Sequence, residues 1–215
     1  MTMPARQHFA IILDRSGSMS LVRNATERGL HTFLTEQRLV APGATVSLYQ
    51  FDDRFETVYE NELLFEVPHF ELRPRGRTAL RDAIGITLTR VRRHIASLDK
   101  ATRPEQVVVV ILTDGEENAS TEFTLDEIKA LIAKRSRPTN AQGKPKRTTW
   151  RFVFLGTSSN TFQVAADLGI DTATTLHYDA DRTEETLTTA SRMVTRGTRT
   201  GDFGFSDHER TITRR

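Results

Sequence analysis

Residues 8–18 read His-Phe-Ala-Ile-Ile-Leu-Asp-Arg-Ser-Gly-Ser, an apolar run that stops on a carboxylate and two small hydroxyls. Six residues with no helical period predict a buried strand over His8–Leu13, and Asp14–Ser18 the loop that leaves it. A second run behaves in the same way. Val107–Leu112 is six consecutive β-branched or leucine residues, as expected of a strand covered on both faces, and it runs into Thr113-Asp114-Gly115. Two central strands therefore each deliver an aspartate at their carboxyl ends.

The segments around these two strands alternate between strand and helix patterns. From Val22, small or apolar residues fall at Ala25, Gly29, Leu30, Phe33 and Leu34, a helical stripe that Pro42-Gly43 breaks. Val46, Leu48 and Tyr49 or Phe51 mark a second strand, and Phe55–Tyr59 a third. The link Asp52-Asp53-Arg54 is short enough only for an antiparallel hairpin. Residues 60–77 read as irregular. Leu80, Ile84, Leu88, Val91 and Ile95 form the clearest helical face. Further elements are expected at Leu125–Ala133 (helix), Trp150–Leu155 (strand), Phe162–Leu168 (helix), Thr174–His177 (edge strand) and Thr183–Thr195 (helix). This alternation predicts a three-layer α/β fold: a mostly parallel central sheet with one antiparallel edge strand, and helices on both faces. The expected division is one domain over residues 1–196 and a polar, flexible tail over 197–215. Residues 134–149 hold six Lys/Arg and no acid, and are also expected to be mobile surface.

Composition narrows the function. The chain has 215 residues, no cysteine, and 30 Lys+Arg against 28 Asp+Glu. Disulfides, thiolate metal sites and cysteine nucleophiles are thereby excluded. A formal charge of +2 does not imply wholesale nucleic-acid binding. The six histidines show no paired ligand spacing, which argues against a histidine zinc site. No apolar stretch is long enough to span a bilayer, and residues 1–8 lack the apolar region of a signal peptide, so a cytoplasmic location is expected.

The chemistry is concentrated where strands hand over to helices. In open parallel sheets, ligands bind outside the carboxyl ends of the strands where strand order reverses. If the strands of Asp14 and Asp114 are neighbours at that reversal, their carboxylates converge. The hydroxyls of Ser16, Ser18 and Thr78 then complete a shell made only of oxygen. Such a shell suits one hard divalent cation, Mg2+ or Mn2+. Two carboxylates neutralise the ion and leave it able to take one more anionic oxygen. Taken singly, each residue has a plainer use: the serines and Thr78 as helix caps, Asp114-Gly115 as a turn.

Asp14-Arg15-Ser16-Gly17-Ser18-Met19, Thr78 and Asp114 together resemble the metal-ion-dependent adhesion site of von Willebrand factor A (VWA) domains, whose fold is Rossmann-like. The resemblance extends from about residue 6 to 196 and is to the small intracellular proteins of bacteria and phages. It implies that the two serines and the threonine ligate the ion directly or through water, and that Asp14 and Asp114 bind largely through water. It also implies a non-enzymatic module whose last coordination position is filled by an Asp or Glu of a partner protein. An adaptor role beside a MoxR-type AAA+ ATPase or in a stress-response system follows from the same resemblance.

Around this set, Arg15, Arg75, Arg77, Glu116 and Glu117 are expected to meet the partner. The plainer alternative for the arginines is pairing with Asp52, Asp53 or Asp82, and this is preferred for Arg81. For Glu116, Glu117 and Asn118 the plainer alternative, and the preferred one, is to face solvent. Two other functions compete: a metal-dependent phosphatase or hydrolase using the same site, with Glu116 or Glu117 as base, and a nucleic-acid-associated protein using loop 134–149. A P-loop is absent, and the basic run lacks interleaved aromatics.

Overall fold

The computed structural model describes residues 6–214. Its core is a six-stranded sheet in the order β3-β2-β1-β4-β5-β6. The strands are β1 (Gln7–Asp14), β2 (Thr45–Phe51), β3 (Phe55–Leu63), β4 (Gln106–Thr113), β5 (Thr149–Gly156) and β6 (Thr175–His177). All pairings are parallel except β2 with β3, the hairpin expected from its short link. The helices are α1 (Arg23–Val40), α2 (Leu80–Ser97), α3 (Leu125–Ser136), α4 (Thr161–Leu168), α5 (Thr183–Thr200) and α6 (Asp207–Ile212).

Every residue of β1 is buried, and its alternation divides the core in two. Phe9, Ile11 and Leu13 point to one face, where Leu30, Phe33 and Leu34 of α1 meet Leu187, Ala190, Met193 and Val194 of α5. Ala10 and Ile12 point to the other, under Ile84, Leu88 and Val91 of α2, Ile128 and Ile132 of α3, and Ala165 of α4. This is the period-two pattern of a strand covered on both sides. Asp14 thus projects from a rigid layer, and Asp114 lies one residue beyond it.

Two expectations need correction. β3 does not end at Tyr59 but continues to Leu63 through a bulge. Asn61 takes a positive φ of 61° there, and its N–H donates to Ser47 Oγ at 2.9 Å. The polar run Glu60-Asn61-Glu62 hid this extension. The boundary at residue 196 falls inside α5, and the segment beyond it is packed. Phe203 and Phe205 join the α1/α5 core. The Arg196 guanidinium donates to both carboxylate oxygens of Glu209, at 2.7 and 3.0 Å, and Ser206 with Glu209 forms a capping box that starts α6. Residues 1–5, part of the stretch read for location, lie outside the described residues. No helix among the described residues is long and apolar enough to cross a membrane.

At the amino-terminal end of the sheet His8 is buried, with Nδ1 2.8 Å from Thr45 Oγ1 and its ring 6.4 Å from that of His94. Burial, with the nearby His94 adding, pushes the His8 imidazole down to about 3. The folded protein therefore keeps His8 neutral while the unfolded chain takes up a proton below about 6.5, so stability is lost as pH falls from there toward 3. Chemical denaturation at pH 6 and pH 4 should show His8→Gln losing about 2 kcal/mol less than wild type over that interval. Equal losses would contradict this account.

Candidate metal centre

β1 and β4 pair from Gln7↔Gln106 to Leu13↔Leu112, and the chain leaves β1 for β2 on one side and β4 for β5 on the other. They are the two neighbours at the reversal of strand order. Asp14, the last residue of β1, is 0% exposed. Its carboxylate accepts from the Ser16 N–H at 2.7 Å and from the Thr113 hydroxyl at 2.5 Å. Asp114 follows β4 directly and accepts from the Ser18 hydroxyl at 2.8 Å, while the Ser16 and Ser18 oxygens stand 3.2 Å apart. Gly115 locates the centre of the group. A Cβ built there would lie 2.9 Å from Thr78 Oγ1, 3.7 Å from Ser16 Oγ and 3.8 Å from Asp14 Oδ2. The structure thus gathers Asp14, Ser16, Ser18, Thr78 and Asp114, drawn from three separate segments.

The donors are all oxygen. Among the described residues no group of three or more His, Cys, Asp or Glu side chains is arranged to hold a metal ion, and neither aspartate forms an ion pair with a protein cation. Burial pushes the Asp14 carboxyl up to about 6, with the Asp114 charge adding, against the opposing hydrogen bonds from Thr113 and Ser16. Asp114 is also raised by burial, against hydrogen bonds from Ser18 and Ser16. Two desolvated carboxylates beside neutral hydroxyls fit a hard divalent cation.

Thr78 is positioned by backbone stitching rather than by a regular element. The Arg75 N–H donates to Arg15 O at 2.8 Å, Gly17 N–H to Gly76 O at 3.2 Å, and Ala79 N–H to Asp52 O at 2.8 Å. Gly76 has φ 68° and packs on Asp52 and Asp53, so a side chain there is excluded by both conformation and space. Asn118 closes the other side: its Oδ1 accepts from Thr78 N–H and its own N–H donates to Thr78 O, both at 3.0 Å. Asp82 of α2 accepts from the N–H groups of Thr121, Glu122 and Phe123, which fixes the rest of that loop.

These contacts reassign several side chains expected at a partner surface. Arg15 is 4% exposed and turns inward, donating to Asp52 at 3.0 Å and Glu56 at 2.6 Å. Arg75 also donates to Asp52, at 2.7 Å, the pairing held as its alternative. Arg81 pairs with Glu117 at 3.6 Å rather than with a neighbouring aspartate. The Glu117 carboxylate accepts from the N–H groups of Arg81, Ala119 and Ser120 and from the Ser120 hydroxyl, so it braces α2 against the loop. Arg77 and Glu116 stay exposed beside the centre; Glu116 accepts from Asn160 at 3.0 Å. Thr113 and the clamp made by Asn118 were not foreseen. A lone hydroxyl closing an otherwise apolar strand was the available signal for Thr113.

No protein-family model matches the sequence, and no curated protein matches it either. Solved structures match over most of the chain. The ArnB paralog VWA2 from Sulfolobus acidocaldarius aligns with TM-score 0.53 and 21% identity over 85% of this chain and 44% of that one. The vWF domain of the type V pili tip protein Mfa5 from Porphyromonas gingivalis aligns with TM-score 0.57 and 9% identity over 92% of this chain and 97% of that domain. Proximal thread matrix protein 1 from the mussel byssus, solved with a zinc-occupied MIDAS motif, aligns with TM-score 0.55 and 17% identity over 89% of this chain and 47% of that one. The chain thus spans less than half the length of the Sulfolobus and mussel proteins. Its fold is that of VWA domains.

Gly115 has no positive φ, so alanine there acts through volume rather than backbone strain. Gly115→Ala is expected to weaken Mn2+ binding by about tenfold or more while moving the melting temperature by only a few degrees. Calorimetric titration and thermal unfolding check both, and unchanged affinity would contradict the placement of the centre.

Proposed function

We propose that this VWA-fold chain is a metal-dependent protein-binding module. Asp14, Ser16, Ser18, Thr78 and Asp114 hold one Mg2+ or Mn2+, and a partner's Asp or Glu completes the coordination. The convergence of Thr78, Ser16 and Asp14 around Gly115, with Ser18 joining Ser16 to Asp114, carries the reading. A bound cation supplies electrophilic attraction for a carboxylate oxygen. The chain's own residues supply the rest. Thr113 and the Ser16 N–H orient Asp14, Ser18 orients Asp114, and Asn118 keeps Thr78 facing them.

The rim has polar and apolar parts. Ser18 is exposed, and Leu21, three residues on in the 3₁₀ turn Gly17–Leu21, is 91% exposed. Side chains three apart in such a turn eclipse, so Leu21 stands on the same edge as Ser18. A partner acid with an apolar neighbour suits this surface, and the exposed Arg77 favours an acidic approach. An adaptor role toward a MoxR-type AAA+ ATPase, in the cytoplasm, is one form of this function. The hydrolase alternative needs a free general base; Glu117 is already occupied by backbone donors, and Glu116 is exposed and accepts from Asn160.

Immobilised wild-type chain should retain its partner from a lysate of its own cells in Mg2+ and release it into EDTA, while Asp14→Ala retains none. Retention indifferent to both would contradict the proposal. Turnover of a generic phosphate ester that needs Mg2+ and is lost in Asp14→Asn would replace it with the hydrolase reading.

A further inference from the structure

The sheet is incomplete beside β6. β5 pairs with β4 along its whole length, but with β6 only over Phe154–Gly156. Ladder alternation fixes where the remaining backbone groups point. The Thr149 N–H donates to Glu105 O on the β4 side, and Gly156 O accepts from Tyr178 N–H on the β6 side. The N–H and C=O of Trp150 and Phe152 therefore face away from β4, onto an edge that carries no strand, although the two residues themselves are buried, 7% and 4% exposed. Among the described residues no hydrogen bond outside the strand ladders reaches them. The chain just before β6 is not available to pair there, because the Thr174 N–H is already bonded to Asp171 O.

A cavity of about 570 Å³ lies along this edge, with Trp150, Phe152, Ile170 and Phe203 among its walls. That volume is within the range of natural ligand clefts, about 300–1,000 Å³. Two cations beside it have no ion-pair partner among the described residues. The Arg151 guanidinium lies 5.0 Å from the centre of the Phe203 ring and that of Arg135 lies 5.5 Å from the centre of Trp150. Each has a buried Nε with no hydrogen-bond partner. The run 134–149, with six Lys/Arg and no acid, leads directly into β5. Two acids line the cavity: Asp171, which accepts from the Ala173 N–H, and Asp202, which lies in the field of Arg196. A second copy paired edge to edge would set the same cations against one another, as basic residues on sheet edges commonly do.

We propose that the unpaired edge of β5 at Trp150–Phe152, reached through this cavity, is a docking slot for an extended acidic segment of a partner protein, which adds as a strand beside β5. Main-chain bonds to Trp150 and Phe152 give the affinity, and Arg135 and Arg151 select acidic side chains. The slot is at the amino-terminal end of β5, opposite the metal centre, so binding there is independent of the cation.

Trp150 is the chain's one tryptophan, which makes its emission a direct reporter. The probe is the peptide acetyl-Glu-Val-Glu-Val-Glu-Val-amide. It should change Trp150 emission saturably and slow amide exchange at Trp150 and Phe152 by about tenfold or more, in EDTA as in Mg2+. Replacing Glu by Lys in the peptide, or substituting Arg151→Glu or Arg135→Glu in the folded protein, should weaken binding by about tenfold or more. No protection at about 1 mM peptide would overturn the proposal. So would equal binding of the Lys peptide, or protection of these amides by concentration-dependent self-association alone.

Discussion

The constraint on which the structure turns is a buried carboxylate. Asp14 sits at the end of a strand buried on both faces, is itself fully buried, and accepts from neutral groups, the Thr113 hydroxyl and Ser16. Burial lifts its carboxyl from the ordinary range to about 6, so at neutral pH the folded chain carries a charge it holds poorly, at a cost of about 3 kcal/mol. Asp114, close enough to add to that effect, is raised as well. A protein cation would have solved this problem permanently, and among the described residues none does. The end of the sheet instead gathers two carboxylates and three hydroxyls, an arrangement that a divalent ion neutralises.

The surrounding polar network keeps this charge in a fixed setting. Asp52 is buried too, but its case is the opposite one. Although burial opposes ionisation there, hydrogen bonds from Arg75 and the Arg54 backbone and the charge of Arg15 hold its carboxyl below the usual range. That ion cluster ties the loop after β1 to the hairpin and to the Gly76 turn. Asn118, Glu117 and Asp82 tie the loop after β4 to α2. Three segments far apart in sequence are thereby held in one register, which is what a preformed coordination shell requires. A satisfied buried network specifies one arrangement, whereas removing a single member leaves others unpaired.

The strands, their directions and the two aspartates were legible because each rests on local signals: apolar runs, abrupt polar ends, and a link too short for a parallel crossover. The adjacency of β1 and β4 was legible only as a condition, and the strand order meets it. Side-chain destinations were less so. Nothing near Arg15 shows that it turns inward, because Asp52 lies 37 residues away. Glu117 reads as surface charge until α2 supplies the amide of Arg81. The packed carboxyl-terminal segment escaped notice because only Phe203 and Phe205 stand out in a polar stretch. The burial of Phe203 depends on Gly197, where a Cβ would meet its ring. In each case the missing information is a distant partner, not a local propensity.

The claim that Asp14 exists to hold a cation is tested most directly by titrating Mn2+ into EDTA-stripped protein at pH 7.5, wild type beside Asp14→Asn, with thermal unfolding of both in EDTA. The account predicts one saturable site in wild type, weakened about a hundredfold or more in the variant. It also predicts a metal-free variant that melts no lower than wild type, because the substitution removes a desolvated charge. A folded wild-type protein that binds no Mn2+, or a variant that binds it equally well, would contradict the account.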